Sequence, residues 1–344
     1  MIIAIPKETA PGETRVAASP ETVRRYTAMN CGVRVETEAG TRSGFDDARY
    51  REAGAEIVPA GQIYEQADII IKIRAPLPDE LPRIRNGQTI IASFADVGAP
   101  ADFAVKDLTC FALEKIPRIS RVQSMDILSS QSNIAGYKAV IDAAAHAAVT
   151  FPLLMTAAGT LAPARVLILG IGVAGLQAAA TAKRLGAQVY ASDIRPETEE
   201  QIRSLGARFV SADAVAERLA QTDILITAAL SPGKPAPRLI SADMLQTMPE
   251  GGVVLDLAAA SGGNVEGTQD GKTARRHGLT LIGAGNLAAG LPHSASRLFA
   301  QNVLNFLTLA FNPETAEFNF DFADEIIAST CIVKNGRLFG KENK

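Results

Sequence analysis

Cysteine and histidine are both scarce in this chain of 344 residues, three of each. Cys31, Cys110 and Cys331 are far apart and odd in number, with no CxxC spacing, so neither a disulfide framework nor a zinc site is signalled. That usage fits a reducing compartment. Basic runs are lacking too. Lys+Arg 34 stand against Asp+Glu 37, a formal net charge of −3, and no block of cations offers a phosphate-tracking surface for nucleic acid. The first residues, MIIAIPKETAPGETR, are charged by the seventh and hold no secretory h-region. Two stretches without charge, 143–164 and 166–182, approach the ~20 apolar residues of a membrane span. Pro152, Gly159 and Pro163 in the first, and Gly170, Gly172 and Gly175 in the second, read instead as a buried helix, a loop, then a strand and a tight turn. A soluble chain is expected, which leaves docking on a membrane partner open.

What is present is the composition of a globular protein: 47% apolar and 21% charged residues. The length suggests two domains. Ile2–Ile5, Val33–Glu36, Asp68–Ile73, Thr89–Phe94 and Thr109–Leu113 read as strands, with helices at Pro20–Asn30 and Asp46–Ala53. That alternation predicts a parallel sheet covered by helices. A helix over Asn133–Val149 leads to a second series. Its strands are Val166–Leu169, Gln188–Ser192, Ala207–Val210, Ile224–Ala228, Val253–Leu257 and Thr280–Ile282, and its helices start near Val173, Pro196, Ala212 and Ala242. The expected fold class is α/β, two Rossmann-like doubly wound parallel-sheet domains with an inter-domain cleft. The predicted division is residues 1–128 plus 292–344 for the first domain and 129–291 for the second. The run PHSASRLFAQNVLNFLTLAF predicts a helix with Leu298, Val303, Leu304 and Leu307 near one face, and the tail after it is expected to return to the first domain.

Val166 to Gly175 reads as a strand, then G-x-G-x-x-G, opening an alanine-rich helix. Gly170 allows the tight turn, Gly172 lets the backbone approach a pyrophosphate, and Gly175 lets helix and strand pack closely. The helix N-terminus offers N–H groups and a positive dipole end to phosphate. Asp193, at the end of the next strand, stands near the offset of the acid that binds a ribose 2′-OH, which favours NAD(H) over NADP(H). Arg195 complicates that choice, since arginine accommodates a 2′-phosphate. The bland alternatives are a turn that merely tolerates glycine and an aspartate that caps a helix.

A hydroxy-acid dehydrogenase needs a general acid/base, most often histidine. His146 lies in an alanine-rich helix, His277 near a strand start and His293 at the head of the long helix; none stands in an evident arrangement with a carboxylate. No Ser-His-Asp pattern or metal spacing appears. The segment from Arg118 to Asn133 is dense in hydrogen-bonding groups where the first domain hands over to the second. It reads as ligand-binding or as a solvated linker with a helix cap at Ser132. Ile119, Met125, Ile127 and Leu128 argue for packing, and Arg118 is expected to pair with Asp126.

Three stretches, RISRVQSMDILSSQSNIAGYKAVIDAA, MTAAGTLAPARVLILGIGVAGLQAAATAKRLGA and LSPGKPAPRLI, resemble the soluble NAD(H)-binding domain of proton-translocating NAD(P) transhydrogenase. In that family the domain belongs to the α subunit, or to its first portion where the subunit is split. The resemblance covers nearly the whole chain. It implies that Arg118, Gln123 and Asp126, with Ser129 beside them, hold the nicotinamide ribose and ring and act as the catalytic set. Ile119, Ser120, Arg121, Ser124 and Met125 would belong to the same cofactor-binding loop. Gly170, Gly172 and Val173-Ala174-Gly175 would meet the pyrophosphate, Asp193-Ile194-Arg195 the adenosine side, and Leu230 the nucleotide cleft. NAD(H) is the cofactor so implied, with NADP(H) on a partner subunit. The implied partners are an NADP(H)-binding domain, membrane-spanning subunits and a second copy of the chain. The implied place is cytoplasmic, peripheral to the membrane.

The same fold occurs in alanine dehydrogenase, whose pattern is half present. Arg15 and Lys72 match its substrate positions, but the region Ser93–Asp96 holds no histidine and Ala260 stands where its catalytic aspartate would fall. Hydride transfer between two nicotinamides needs alignment and exclusion of water rather than an acid or base. The family's long loop is replaced by a short helix within Ser211–Gln221. An amino-acid dehydrogenase and a non-catalytic NAD-binding scaffold or sensor remain the alternative readings.

Overall fold

Isoleucine-rich runs make the centre of the first sheet. The computed structural model describes residues 1–97, 100–230 and 234–340. They form two compact units, Met1–Gln131 with the described part of Leu291–Lys344, and Ser132–Gly290. In the first, β1 (Ile2–Ile5), α1 (Pro20–Ala28), β2 (Gly32–Glu36), α2 (Asp47–Glu52), β3 (Glu56–Val58), β4 (Ile69–Arg74), β5 (Thr89–Ser93) and β6 (Thr109–Ala112) follow in order. Ile3, Ile5, Ile69 and Ile71 pack on one face while Ala4, Ile70, Ile90 and Cys110 pack on the other, as the two-residue period of a strand covered on both faces requires. Ser19 starts α1 with a capping box to Thr22 and Pro20 in the first turn.

α3 (Ile127–His146) carries the chain into the second unit. It begins six residues before the Asn133 predicted from the sequence. Ser130 lies in its first turn and bonds back to the Asp126 carbonyl at 3.1 Å, so the serine-rich stretch is helical rather than a linker. Next come β7 (Leu154–Thr156) and β8 (Gly159–Leu161), an exposed antiparallel hairpin where the sequence pattern predicts a loop. Its turn is local chemistry: Ala158 N–H donates to Thr156 Oγ1 at 3.1 Å. β9 (Arg165–Leu169), α4 (Val173–Arg184), β10 (Gln188–Ser192), α5 (Thr198–Ser204), β11 (Arg208–Phe209), α6 (Val215–Leu219), β12 (Ile224–Thr227), α7 (Ala242–Leu245), β13 (Val253–Asp256), β14 (Thr273–Arg276) and β15 (Leu279–Gly283) complete the unit. Its sheet runs β11-β10-β9-β12-β13-β15-β14. The first six are parallel in the order of a dinucleotide-binding fold, with the switch point between β9 and β12. The antiparallel edge strand β14 has no counterpart among the predicted strands: an edge strand of sequence TARR shows no apolar alternation.

The chain then returns to the first unit as α8 (Pro292–Ala310), β16 (Phe311–Asn312), β17 (Glu317–Phe318), α9 (Glu325–Thr330), β18 (Cys331–Lys334) and β19 (Arg337–Leu338). β18 adds antiparallel to β6, giving the order β19-β18-β6-β5-β4-β1-β2-β3. The buried stripe of α8 includes Phe299, Val303, Phe306 and Leu307; Leu298, predicted on that face, is 42% exposed because the stripe follows the 295-299-303-306 spacing.

Candidate functional site

The glycine turn sits at the carboxyl end of β9, beside the switch point. Gly170 has φ +91°, and a Cβ there would lie 2.6 Å from the backbone N of Ala229. A Cβ on Gly175 would lie 1.9 Å from the Gly170 carbonyl, so only glycine lets α4 start this close to the strand. Around Gly172 a Cβ would meet nothing within 4 Å. Gly172 is also the N-cap of α4, and no side chain caps that end. Open space above uncapped N–H groups suits an anion such as a pyrophosphate. Apolar residues lie exposed just beyond three adjacent strands: Val173 after β9, Ile194 (90% exposed) after β10 and Leu230 after β12. Ser231, Pro232 and Gly233 of the quoted motif lie outside the described residues.

Asp193 follows β10 and is held on both oxygens. Its Oδ2 accepts from Ile171 N–H at 2.6 Å, and its Oδ1 accepts from Arg195 N–H at 2.9 Å. The Arg195 guanidinium adds Nε to Oδ1 and Nη2 to Oδ2, both at 3.0 Å. Burial opposes its charge, but the Arg195 and Ile171 hydrogen bonds outweigh that and hold the carboxyl below its ordinary range. Asn264, buried and not singled out by any sequence pattern, ties down the chain ahead of Leu230 by bonding both the N–H and the carbonyl of Ala229. No periodic signal marks such a residue, because its partners come from another loop.

In the first unit, the segment from Arg118 is a single 3₁₀ turn, Ser120–Val122, followed by α3. Val122, Met125 and Ile127 are buried beneath it, whereas Arg118, Ile119, Ser120, Arg121, Gln123, Ser124 and Leu128 are exposed. Among the described residues Arg118 has no ion pair, which corrects the expected pairing with Asp126. Asp126 instead caps α3: its carboxylate accepts from Ser129 N–H at 2.9 Å and from Ser129 Oγ–H at 2.5 Å. A side chain at the head of a helix finds the free N–H of the first turn before a partner across the loop. The segment is anchored elsewhere. The Ser124 carbonyl accepts from Asn302 at 2.8 Å and from Asn305 at 2.9 Å, both on α8, and Arg121 pairs with Asp324 at the cap of α9. Neither asparagine stands out in the sequence, because α8 carries other polar residues such as Ser296, Arg297, Gln301 and Thr308.

Arg15 and Lys72 are buried and closed by carboxylates. Arg15 forks onto Glu13 with two bonds of 2.7 Å and reaches Gln131 at 2.7 Å. Lys72 Nζ lies 3.3 Å from Glu8 and 3.0 Å from Glu80. Two carboxylates sharing one buried ammonium cannot both stay charged cheaply. Burial pushes Glu8 up to about 6, with Lys72 offsetting part of the effect. Glu8 therefore holds its proton more tightly folded than unfolded, and its contribution to stability is lost as pH rises through about 6. The unfolding free energy of the native sequence minus that of Glu8→Gln should fall by about 2 kcal/mol between roughly pH 4 and pH 7. Denaturant titrations across that range check it, and a flat difference would refute it.

The histidines stand apart from these groups. His146 and His277 are exposed, and His293 Nδ1 lies 2.9 Å from the Ser43 carbonyl with its ring against Phe45. No cluster of metal-binding side chains occurs among the described residues.

The family models "Alanine dehydrogenase/PNT, N-terminal domain" and "Alanine dehydrogenase/PNT, C-terminal domain" match residues 4–135 and 139–341. The chain is 43% identical over 374 aligned residues to the first portion of NAD(P) transhydrogenase subunit alpha of Rhodospirillum rubrum, covering 98% of this chain and 97% of that one. The crystal structure of transhydrogenase from Sinorhizobium meliloti matches with a TM-score of 0.94 at 43% identity, over 98% of this chain and 100% of that one. Alanine dehydrogenase of Bacillus subtilis is 30% identical over 318 residues, 86% of this chain and 82% of its own length.

Proposed function

The chain belongs to the alanine dehydrogenase/PNT family, and from that premise we propose that it is the NAD(H)-binding subunit of a proton-translocating transhydrogenase. Bound NAD(H) would supply a nicotinamide that donates hydride when reduced and accepts it when oxidised, the other reactant being NADP(H) held on a partner subunit. The observation that carries this reading is the state of Arg15 and Lys72: both are buried and both are closed by carboxylates of the same unit. A small oxo acid would have to displace Glu13, or Glu8 and Glu80, to reach them. Ser93–Asp96 holds no histidine and position 260 is alanine, so the acid/base pair of the alanine dehydrogenase pattern is not present at those positions, which favours the transhydrogenase reading.

The residues present fit a dinucleotide. The open face of Gly172 and the first turn of α4 would take the pyrophosphate. Ile194 offers an exposed apolar shelf to adenine, with Asp193 and Arg195 beside it at the ribose and Leu230 lining the cleft. Arg118, Gln123 and Ser129 would hold the nicotinamide end, on a loop that Asp126 and Met125 shape from within. Orientation of the ring is their whole contribution, and no proton moves at the reacting carbon.

No helix among the described residues is long and apolar enough to cross a membrane. On the transhydrogenase reading, membrane attachment belongs to partner subunits, with this chain on the cytoplasmic side. We assign the exposed β7–β8 hairpin to a second copy of the chain. Among the described residues it pairs with no other strand; Leu154, Met155 and Leu161 in it, and Leu153 just before it, are exposed, and it is too short to persist alone in water.

The test combines the purified chain with an NADP(H)-binding partner subunit and follows reduction of an NAD analogue by NADPH. Turnover is expected with the partner and none without it, and light scattering should show a dimer. NADH oxidation by pyruvate and ammonia would return the chain to the amino-acid dehydrogenases. NADH binding with no turnover in either assay would make it a sensor, and a monomer would remove the hairpin's role.

A further inference from the structure

We propose that Arg195 sets how sharply the nucleotide site distinguishes NAD(H) from NADP(H), by occupying the carboxylate that would otherwise discriminate alone. The inference rests on the reading of the glycine turn as a dinucleotide site. Asp193 is closed by four donors: Ile171 N–H and Arg195 Nη2 on Oδ2, Arg195 N–H and Nε on Oδ1. A carboxylate offers about four acceptor positions. A ribose hydroxyl therefore reaches Asp193 only by taking the place of a guanidinium N–H. The backbone donors are fixed by the turn, so Arg195 is the group that yields.

The guanidinium is committed as well, but incompletely. Its Nη2 also donates to the Ile171 carbonyl at 2.8 Å, which lays it across the first turn of the glycine motif. Nη1 has no hydrogen-bond partner among the described residues, and the side chain is half-exposed. Nη1 is thus free to donate to a phosphate oxygen. Asp193 alone would accept from the 2′,3′-diol and repel a 2′-phosphate. Arg195 takes something from each effect: it competes with the diol for the carboxylate, and its charge cancels the repulsion. The pair rejects NADP(H) less strongly than an unpaired aspartate would.

The opposite role, a purely structural brace of the turn, makes a different prediction, and the two separate in one experiment. Kd values for NADH and NADPH are measured by calorimetry on the full chain, on Arg195→Ala and Arg195→Gln, and on Asp193→Ala, with a thermal melt of each to confirm folding. The ratio Kd(NADPH)/Kd(NADH) should rise about tenfold in both Arg195 variants, the low end of what one neighbouring charge does to an ionic equilibrium. It should fall below the native ratio in Asp193→Ala, where the freed guanidinium meets the phosphate. In the Arg195 variants NADH should bind at least as tightly as before. Affinities that fall together with an unchanged ratio would overturn the proposal and leave Arg195 as a brace. A native chain that binds no NADH at all would overturn the dinucleotide site, and this inference with it.

Discussion

Gly175→Ala is expected to weaken NADH binding by about 100-fold or more. The added methyl would stand 1.9 Å from the Gly170 carbonyl oxygen, and both groups are backbone. Gly170 cannot yield easily. Its N–H bonds the Ser192 carbonyl at 2.9 Å, its own Cβ direction is blocked by Ala229, and Ile171 is held by Asp193 at 2.6 Å. The helix must move instead, and with it the N–H groups of the first turn. Two charge-assisted bonds lost at about 1.5 kcal/mol each account for a factor of this size. The overpacking itself should lower stability by about 1–3 kcal/mol, so the chain should still fold in the cold. Calorimetric titration beside a thermal melt reads both effects. A folded variant of ordinary affinity would show that the turn holds no nucleotide.

Gln123→Asn should leave NADH binding nearly intact and slow hydride transfer to a partner-bound NADP analogue by about 100-fold. Gln123 is exposed, and among the described residues its side-chain amide makes no hydrogen bond, so shortening it disturbs no internal contact. The loop around it is held by Asn302 and Asn305 on the neighbouring Ser124 carbonyl, so the backbone should stay in place. One hydrogen bond lost at the ring costs roughly 0.5–1.5 kcal/mol of affinity. Misplacement of the ring by ~1 Å costs about 100-fold in rate. Single-turnover rates beside a binding titration measure the two separately. A normal transfer rate in Gln123→Asn would reduce the segment to a connector. Asp126→Asn serves as the comparison: asparagine caps a helix as well as aspartate does, so with Arg118 unpaired it should change little.

Much of the fold is legible in local pattern. β1 and β10 lie where the sequence predicts them, because runs such as IIAI and QVYAS, bounded by turn residues, suit no other element. The strand–turn–helix context of Gly170 to Gly175 is legible for the same reason: the three glycines act on neighbours within a few residues. Elements without apolar alternation escape. The edge strand Thr273–Arg276 is polar, and the hairpin Leu154–Leu161 is exposed throughout, so neither carries the signature of burial. The start of α3 lies earlier than predicted because serine reads as a cap in the sequence, where Asp126 already serves.

The relative from Rhodospirillum rubrum aligns over 374 positions, more than the 344 residues of this chain, so it carries residues that this chain lacks. The stretch Ser211–Gln221 here is a 3₁₀ turn, Ala212–Ala214, and the short helix α6.

By itself the sequence determined the class of the sheets, the glycine turn and the residue types at the positions of the alanine dehydrogenase pattern, with no histidine at Ser93–Asp96 and alanine at position 260. Those properties depend on residue types within one strand or one helical turn, where sterics and periodicity leave few options. Tertiary structure alone decided the partners of the charged and polar side chains. Asn302 meets the Ser124 carbonyl from 178 residues away, and Glu8 meets Ile73 N–H across 65. Asp126 took the N–H and hydroxyl of Ser129 instead of Arg118, and Lys72 meets two carboxylates at a position that the alanine dehydrogenase pattern gives to substrate. A side chain pairs with whatever strand order and burial bring within 3 Å, and in a buried site the cost of an unmet charge makes that choice final.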